Sequence, residues 1–225
     1  MPPDAARLTP REKSRRDTEA AVLEIANRQL DSEGPHGLSL RAVARELGVV
    51  SSAVYRYVRS RDELLTLLIT DAYEGLADDV EAALAREGDT LEVLAVTMLH
   101  WSRRFPQRWA LIHGSPVEGY RAPEETVPPG TRTAVQAARL VAELHDQTPH
   151  RQLSDAAGSH PAATWLVGEL EELGLTISPQ AALRAVSVWA GLLGMVNILR
   201  FGQLGPGSAD VEDDLMRAHV LRLTT

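Results

Sequence analysis

The stretch LSLRAVARELGVVSSAVYRYVRSRDELL, Leu38 to Leu65, decides how this chain is read. Ser39 is a helix N-cap, and LRAVAREL continues as a short helix. Gly48 breaks the chain, and VSSAVYRYV restarts it as a second short helix. SRDE, Ser60 to Glu63, has the form of a capping box and opens a long helix reaching about Arg86. A helix-turn-helix needs a small residue where its two helices cross, and Ala44 stands there. It needs a turn residue that tolerates positive φ, and Gly48 follows four positions later. Leu47, Val49 and Val54 are expected to lock the second helix onto the first.

The residues left facing outward are Ser51, Ser52, Ala53, Arg56 and Tyr57, with Tyr55 at the groove edge. Hydroxyls donate to phosphate or to base edges, alanine touches a thymine methyl, and arginine pairs with guanine O6 and N7. Arg41 points the same way from the preceding helix, and Arg59 and Arg61 follow where the flanking backbone would run. The earlier REKSRR, Arg11 to Arg16, adds cations for phosphate. The pattern therefore predicts a face that reads double-stranded DNA.

Charge placement agrees with that reading. The 225 residues carry a formal net charge of −8, yet Met1 to Arg61 holds 11 basic and 8 acidic residues. The remainder holds 12 basic and 23 acidic, so a mildly basic head sits on an acidic body. With no cysteine, disulfides, thiol catalysis and cysteine metal sites are excluded. The N-terminal residues are charged and hold no apolar run like a signal peptide, and no segment approaches the roughly 20 consecutive apolar residues of a membrane span. A cytoplasmic protein with no membrane partner is expected.

Outward from the opening stretch, only helical periods recur. An arm is expected at Met1 to Pro10, then a helix from about Pro10, capped by Thr9 and stopped by Gly34. Its apolar stripe is Ala21, Val22, Ile25 and Leu30. Further helices are expected near 90–104, 107–114, 130–148, 153–173, 179–201 and 209–223. No alternating apolar run demands a strand. The fold expected is all-α: an N-terminal three-helix helix-turn-helix domain over 1–60, joined by a long helix to a C-terminal helical domain over 61–225.

Residues 15 to 65 resemble the DNA-binding domain of the TetR family of transcriptional regulators. AAVLEIANRQL, LSLRAVARELGVVSSAVYRYV and SRDELL carry the match. Ser39 stands where many members have threonine before the second helix, and it caps equally well. The resemblance implies DNA contacts for Arg41, Ser51, Ser52, Ala53, Tyr55, Arg56, Tyr57 and Arg61. LIHGSPVEGYRAPEETVPPGTR and SVWAGLLGMVNILRFGQL are similar, more loosely, to a C-terminal subgroup that often has a Trp-His-Gly element. Here that place reads WAGLLG, without the histidine.

The resemblance implies a homodimer on a palindromic site and a small-molecule effector. In the late helix Ala182, Ala185, Val186, Trp189, Ala190, Leu193, Val196 and Leu199 form a broad apolar face, expected on the dimer surface or else in the core of one subunit, and Gly191 and Gly194 would permit close helix approach. ATWLVGELEELGL adds a second face. The dimer residues expected are Trp165, Leu166, Leu170, Val186, Ala190 and Leu193. An apolar effector pocket is expected around Met98, Trp101, Phe105, Trp109 and His113, with Tyr120, Trp189, Met195 and Asn197. A solidly packed body would instead fit a regulator without an effector.

No enzyme is expected. HGSPVEGY gathers His113, Ser115 and Glu118 but lacks a strand-turn-helix nucleophile elbow. His145, His150 and His160 offer no i, i+4 metal pair, so no metal and no cofactor is expected. The predicted role is a DNA-binding transcriptional regulator: a repressor released by a ligand, or alternatively a regulator without ligand response, or an activator.

Overall fold

The computed structural model describes residues 9–147 and 160–224. Among them lie ten α-helices and no strand. α1 (Pro10–Glu33), α2 (Leu40–Glu46) and α3 (Ser51–Val54) form the head. α4 (Arg61–Glu87) joins it to a body of α5 (Leu91–Arg104), α6 (Pro106–His113), α7 (Val127–Gln147), α8 (Pro161–Glu172), α9 (Pro179–Arg200) and α10 (Glu212–Thr224). The arm expected at Met1 to Pro10, apart from Thr9 and Pro10, and the helix start expected at 153–159 lie outside the described residues.

Local chemistry sets the helix ends. Thr9 and Glu12 make a full capping box, with Thr9 N–H donating to the Glu12 carboxylate at 2.8 Å and Glu12 N–H to Thr9 Oγ1 at 3.3 Å. At α4 only half of the expected box forms. Ser60 Oγ accepts from Glu63 N–H at 3.0 Å, but the Glu63 carboxylate takes the N–H of Arg59 instead, at 2.6 Å. That bond holds the Glu63 carboxyl below its usual range. α7 starts three residues earlier than expected, taking Pro128 and Pro129 into its first turn. First-turn N–H groups have no intrahelical partner, so proline is tolerated there.

Two apolar cores form. The head core collects Val22, Ile25, Ala26 and Leu30 of α1, Leu40, Val43 and Ala44 of α2, Val54 and Val58, and Leu64, Leu65 and Leu68 of α4. Each leucine fully buried contributes about 1.5–3 kcal/mol, so the first turns of α4 belong energetically to the head. The body core runs from Ala72 to Val220, with α9 packed chiefly on α7 and α8. α4 spans about 40 Å at 1.5 Å per residue and touches both cores.

α9 corrects an expectation. Ala181, Ala182, Ala185, Val188, Leu192, Val196 and Leu199 form one stripe, and all are buried in the chain's own core. Ala182, Ala185, Val196 and Leu199 therefore cannot lie on an outer face. Gly191 also packs inward: a Cβ there would meet Leu223 at 3.0 Å, and His219 Nε2 lies 3.1 Å from its carbonyl oxygen. A window of α9 has a mean hydropathy of 1.6, apolar enough to cross a membrane by composition. Its inward stripe is occupied by helix packing instead.

Candidate nucleic-acid interface

The helix-turn-helix is built as its residues demand. Ala44 is 1% exposed at the crossing, and Gly48 turns the chain with φ of 70°. Val49 N–H closes the turn on the Ala44 carbonyl at 3.0 Å. Val54 is buried as expected and Leu47 is half-buried on the head core, but Val49 is 44% exposed. The turn that its backbone closes leaves its side chain beside α1, in a groove with Ser14 and Asp17, rather than between the two helices. α3 is shorter than expected. After Val54 the chain tightens, with Arg56 N–H on Ala53 O at 3.3 Å and Tyr57 N–H on Val54 O at 2.9 Å.

The structure brings the reading residues onto one small element. Ser52, Tyr55 and Arg56 are exposed, and Ser51, Ala53 and Tyr57 are half-buried. Tyr57 also packs on the head core, so its ring is anchored. Val50, 71% exposed at the start of α3, stands among them; it was not among the expected contacts.

The cations divide into two groups. Among the described residues Arg41, Arg45 and Arg56 pair with no carboxylate, whereas Arg28 pairs with Glu24 and Glu46 and Arg59 with Glu63. Arg61 already donates to the Pro35 carbonyl at 2.6 Å, tying α4 to the turn after α1. Unpaired cations hold their charge toward solvent, which suits a polyanion.

Behind the head, a polar junction ties it to the body, and no sequence spacing announced it. Arg108 on α6 reaches Asp31 on α1 with Nε at 3.3 Å and Nη2 at 2.9 Å. Its Nη1 lies 3.8 Å from Asp71 on α4, and Asp71 also accepts from Asn27 of α1 at 2.9 Å. The guanidinium stacks on Phe105, 4.6 Å from the ring centroid.

The residues expected to line one pocket are divided. Met98, Trp101 and Trp109 are buried in the body core. Half-buried Trp189 and Met195 pack against it. Trp109 donates its indole N–H to Asn197 Oδ1 at 2.9 Å, and Asn197 Nδ2 donates to the His113 carbonyl at 3.4 Å. The His113 ring sits among Trp109, Tyr73 and Trp189, with centroids 4.5, 5.8 and 6.3 Å away. Burial among these rings pushes its pKa down to about 4, so it is neutral at physiological pH. The cluster packs against the body core, with His113 and Trp189 half-buried and the buried His113 Nε2 without a hydrogen-bond partner. Trp101 and Phe105 line a separate acidic cleft with Asp71 and Glu74, and Tyr120 lines a third region beside α4. His160 caps α8, its Nδ1 accepting from Ala162 N–H at 3.2 Å, and His150 lies outside the described residues.

On α8 and α9, Trp165 is 63% exposed, Val186 46%, and Ala190 is exposed beside them. Leu166, Leu170 and Leu193 are half-buried at the edge of the body core.

Comparison with known proteins agrees with this geometry. Residues 22–68 match the profile of bacterial regulatory proteins of the tetR family, and residues 91–223 match the tetracyclin repressor-like C-terminal domain. An HTH-type transcriptional regulator of Mycobacterium tuberculosis is 40% identical over 210 residues, covering 88% of this chain and 87% of its own. An HTH-type transcriptional repressor of Streptomyces coeruleorubidus is 33% identical over 98 residues, 44% of this chain and 36% of its own. The crystal structure of the regulatory protein SCO4313 superposes with a TM-score of 0.73 at 32% identity, covering 96% of this chain and 98% of that one. The helix-turn-helix head, its unpaired arginines and both halves of the chain thus point the same way: this protein belongs to the TetR family of helix-turn-helix transcriptional regulators.

Proposed function

We propose that this regulator is a cytoplasmic repressor that binds a palindromic operator as a homodimer and is released by a small-molecule effector. The head over 1–60, with Arg61 at the start of α4, carries recognition, and the rest of the body over 61–225 carries dimerisation and response. The observation that carries this reading is the face of Ser51, Ser52, Ala53, Tyr55, Arg56 and Tyr57, flanked by unpaired Arg41 and Arg45. In this reading Arg61 gives a phosphate one of the N–H groups left free by its bond to Pro35.

One element of this size covers only a few base pairs. A two-fold axis doubles the contact and sets half-sites about 34–36 Å apart. The exposed apolar stripe of Trp165, Val186 and Ala190 supports a second copy on α8 and α9, with Leu166, Leu170 and Leu193 completing the contact. The likeness to a Streptomyces repressor supports the sign of regulation.

Release follows from population shift. DNA selects one separation of the two heads, and an effector that prefers another separation lowers DNA affinity by its differential binding. Selection of bound duplexes from random DNA, with the molecular mass measured by sedimentation, tests the reading. An enriched palindrome bound by a dimer supports it; enrichment of a lone half-site by a monomer refutes it.

A further inference from the structure

Beside the junction of head and body, α4, α6, the loop after α6 and the start of α7 enclose a cleft of about 400 Å³. Its size falls within the range of sites that hold drug-sized ligands. Among its lining residues are Ile69, Leu111, Pro116, Val117 and Val127, and none of the residues lining it is charged. Four lining side chains carry hydroxyls, and the proton of each is already used. Tyr73 donates to the Ile112 carbonyl at 3.1 Å. Thr126 donates to Pro123 O at 2.7 Å, and Thr131 to Val127 O at 3.1 Å. Thr66 donates to Asp62 O at 3.0 Å, so in the 2.9 Å bond between Tyr120 and Thr66 the tyrosine is the donor. What the cleft offers a guest is apolar surface and a few acceptor lone pairs. An anion placed there would lose water without gaining a donor, and a cation would meet only neutral hydroxyl oxygens and no carboxylate.

The walls also reach the head. Leu111, Val117 and Tyr120 pack against the head core, and Thr66, the partner of Tyr120, is itself buried. A guest that separates the loop from α4 must draw Tyr120 and Val117 away from that core. We propose that this cleft, rather than the aromatic cluster around His113, is the effector site, that its ligand is an uncharged, predominantly apolar small molecule, and that the Tyr120–Thr66 hydrogen bond relays occupancy to the head. The inference rests on the ligand-release reading and gives it a place and a chemistry.

The test uses the full chain and two probes with nearly the same rings: uncharged phenylnaphthylamine and its charged relative anilinonaphthalene sulfonate. Fluorescence titration should show saturable binding of the first and binding of the second weaker by about tenfold or more. Val127 is 53% exposed at the cleft, so Val127→Trp narrows the cleft without disturbing the core. It should weaken phenylnaphthylamine by about tenfold while operator binding in the absence of probe is kept. The bound probe should lower operator affinity. Tyr120→Phe, read at a probe concentration that saturates the variant, should lose most of that response.

Equal binding of both probes overturns the inference, as does a Val127→Trp variant that binds like the parent. So does probe binding that leaves operator affinity unchanged. Probe binding that falls as protein concentration rises and dimer accumulates would give the cleft to a second copy. Failure to select any operator fails the repressor reading. Failure of the probe arms with an operator in hand fails this inference alone.

Discussion

Arg108→Met cuts the junction between head and body, removing the guanidinium from Asp31, Asp71 and the Phe105 ring while keeping an unbranched aliphatic side chain. The Arg108 side chain is 20% exposed, Asp71 32% and Asp31 39%, so the ion pairs are shielded but not dry. A pair in such a place contributes about 1 kcal/mol, the upper end for exposed pairs. The stack on Phe105 adds about 0.5–1 kcal/mol. The variant should lose about 1.5–2 kcal/mol, and a chain of this length falls by about 2–4 °C in Tm for each kcal/mol, so a drop of about 3–8 °C is expected. Calorimetry on Arg108→Met, Asp31→Asn and the double variant measures the coupling. A second consequence concerns function. With this tie cut, the head is still held to the body by α4 and by Leu111, Val117 and Tyr120 on its core, but more loosely, so effector release of operator should weaken even where the effector still binds. Strictly additive single variants with an unaltered effector response would show that the junction is surface decoration, and the mechanical role given to it would fall.

Other outcomes are equally definite. Arg56→Ala should lose about 1–3 kcal/mol of specific binding if the arginine reads a guanine; equal loss on operator and random DNA, seen by electrophoretic mobility, would demote it to a phosphate contact. Trp165→Asp with Val186→Asp should leave the monomer folded, since both side chains are largely exposed, and convert the dimer to monomer in sedimentation; an intact dimer would move the interface elsewhere. His113, held near 4 when folded against about 6.5 unfolded, takes up its proton more readily in the unfolded chain. Its contribution is fully present above pH 6.5 and is lost as pH falls toward 4, so stability should drop by about 2 kcal/mol between pH 7 and 5 from this group. His113→Phe should remove that part of the drop in Tm; an unchanged pH profile would mean that the ring is hydrated.

The head was legible because its signals are local. Ser39, Ser60, Thr9 and Gly48 act on hydrogen bonds a few residues away, and each does in the structure the kind of work its type predicts. Errors there were errors of detail with local causes. The second half of the Ser60 box moved to Arg59, and α7 absorbed two prolines into its first turn. The pocket was less legible. Large aromatics and methionine suit a ligand site and a packed core equally, and Trp101, Trp109 and Met98 went to the core. The threonines of the cleft look unremarkable in sequence, because what matters about them is that their protons are already used.

The amino-acid sequence by itself determined the helices, their caps, the turn at Gly48 and the family, because these depend on backbone hydrogen bonds and side chains within a turn or two of each other. Only the tertiary structure decided which stripe of α9 faces inward and which is left exposed, since both stripes are apolar and the helical period alone does not choose between them. Only the tertiary structure joined Arg108 to Asp31, 77 residues apart, and Tyr120 to Thr66, 54 apart. Such contacts depend on how whole helices pack, and packing is settled by the sum of many buried surfaces rather than by the residues that happen to meet.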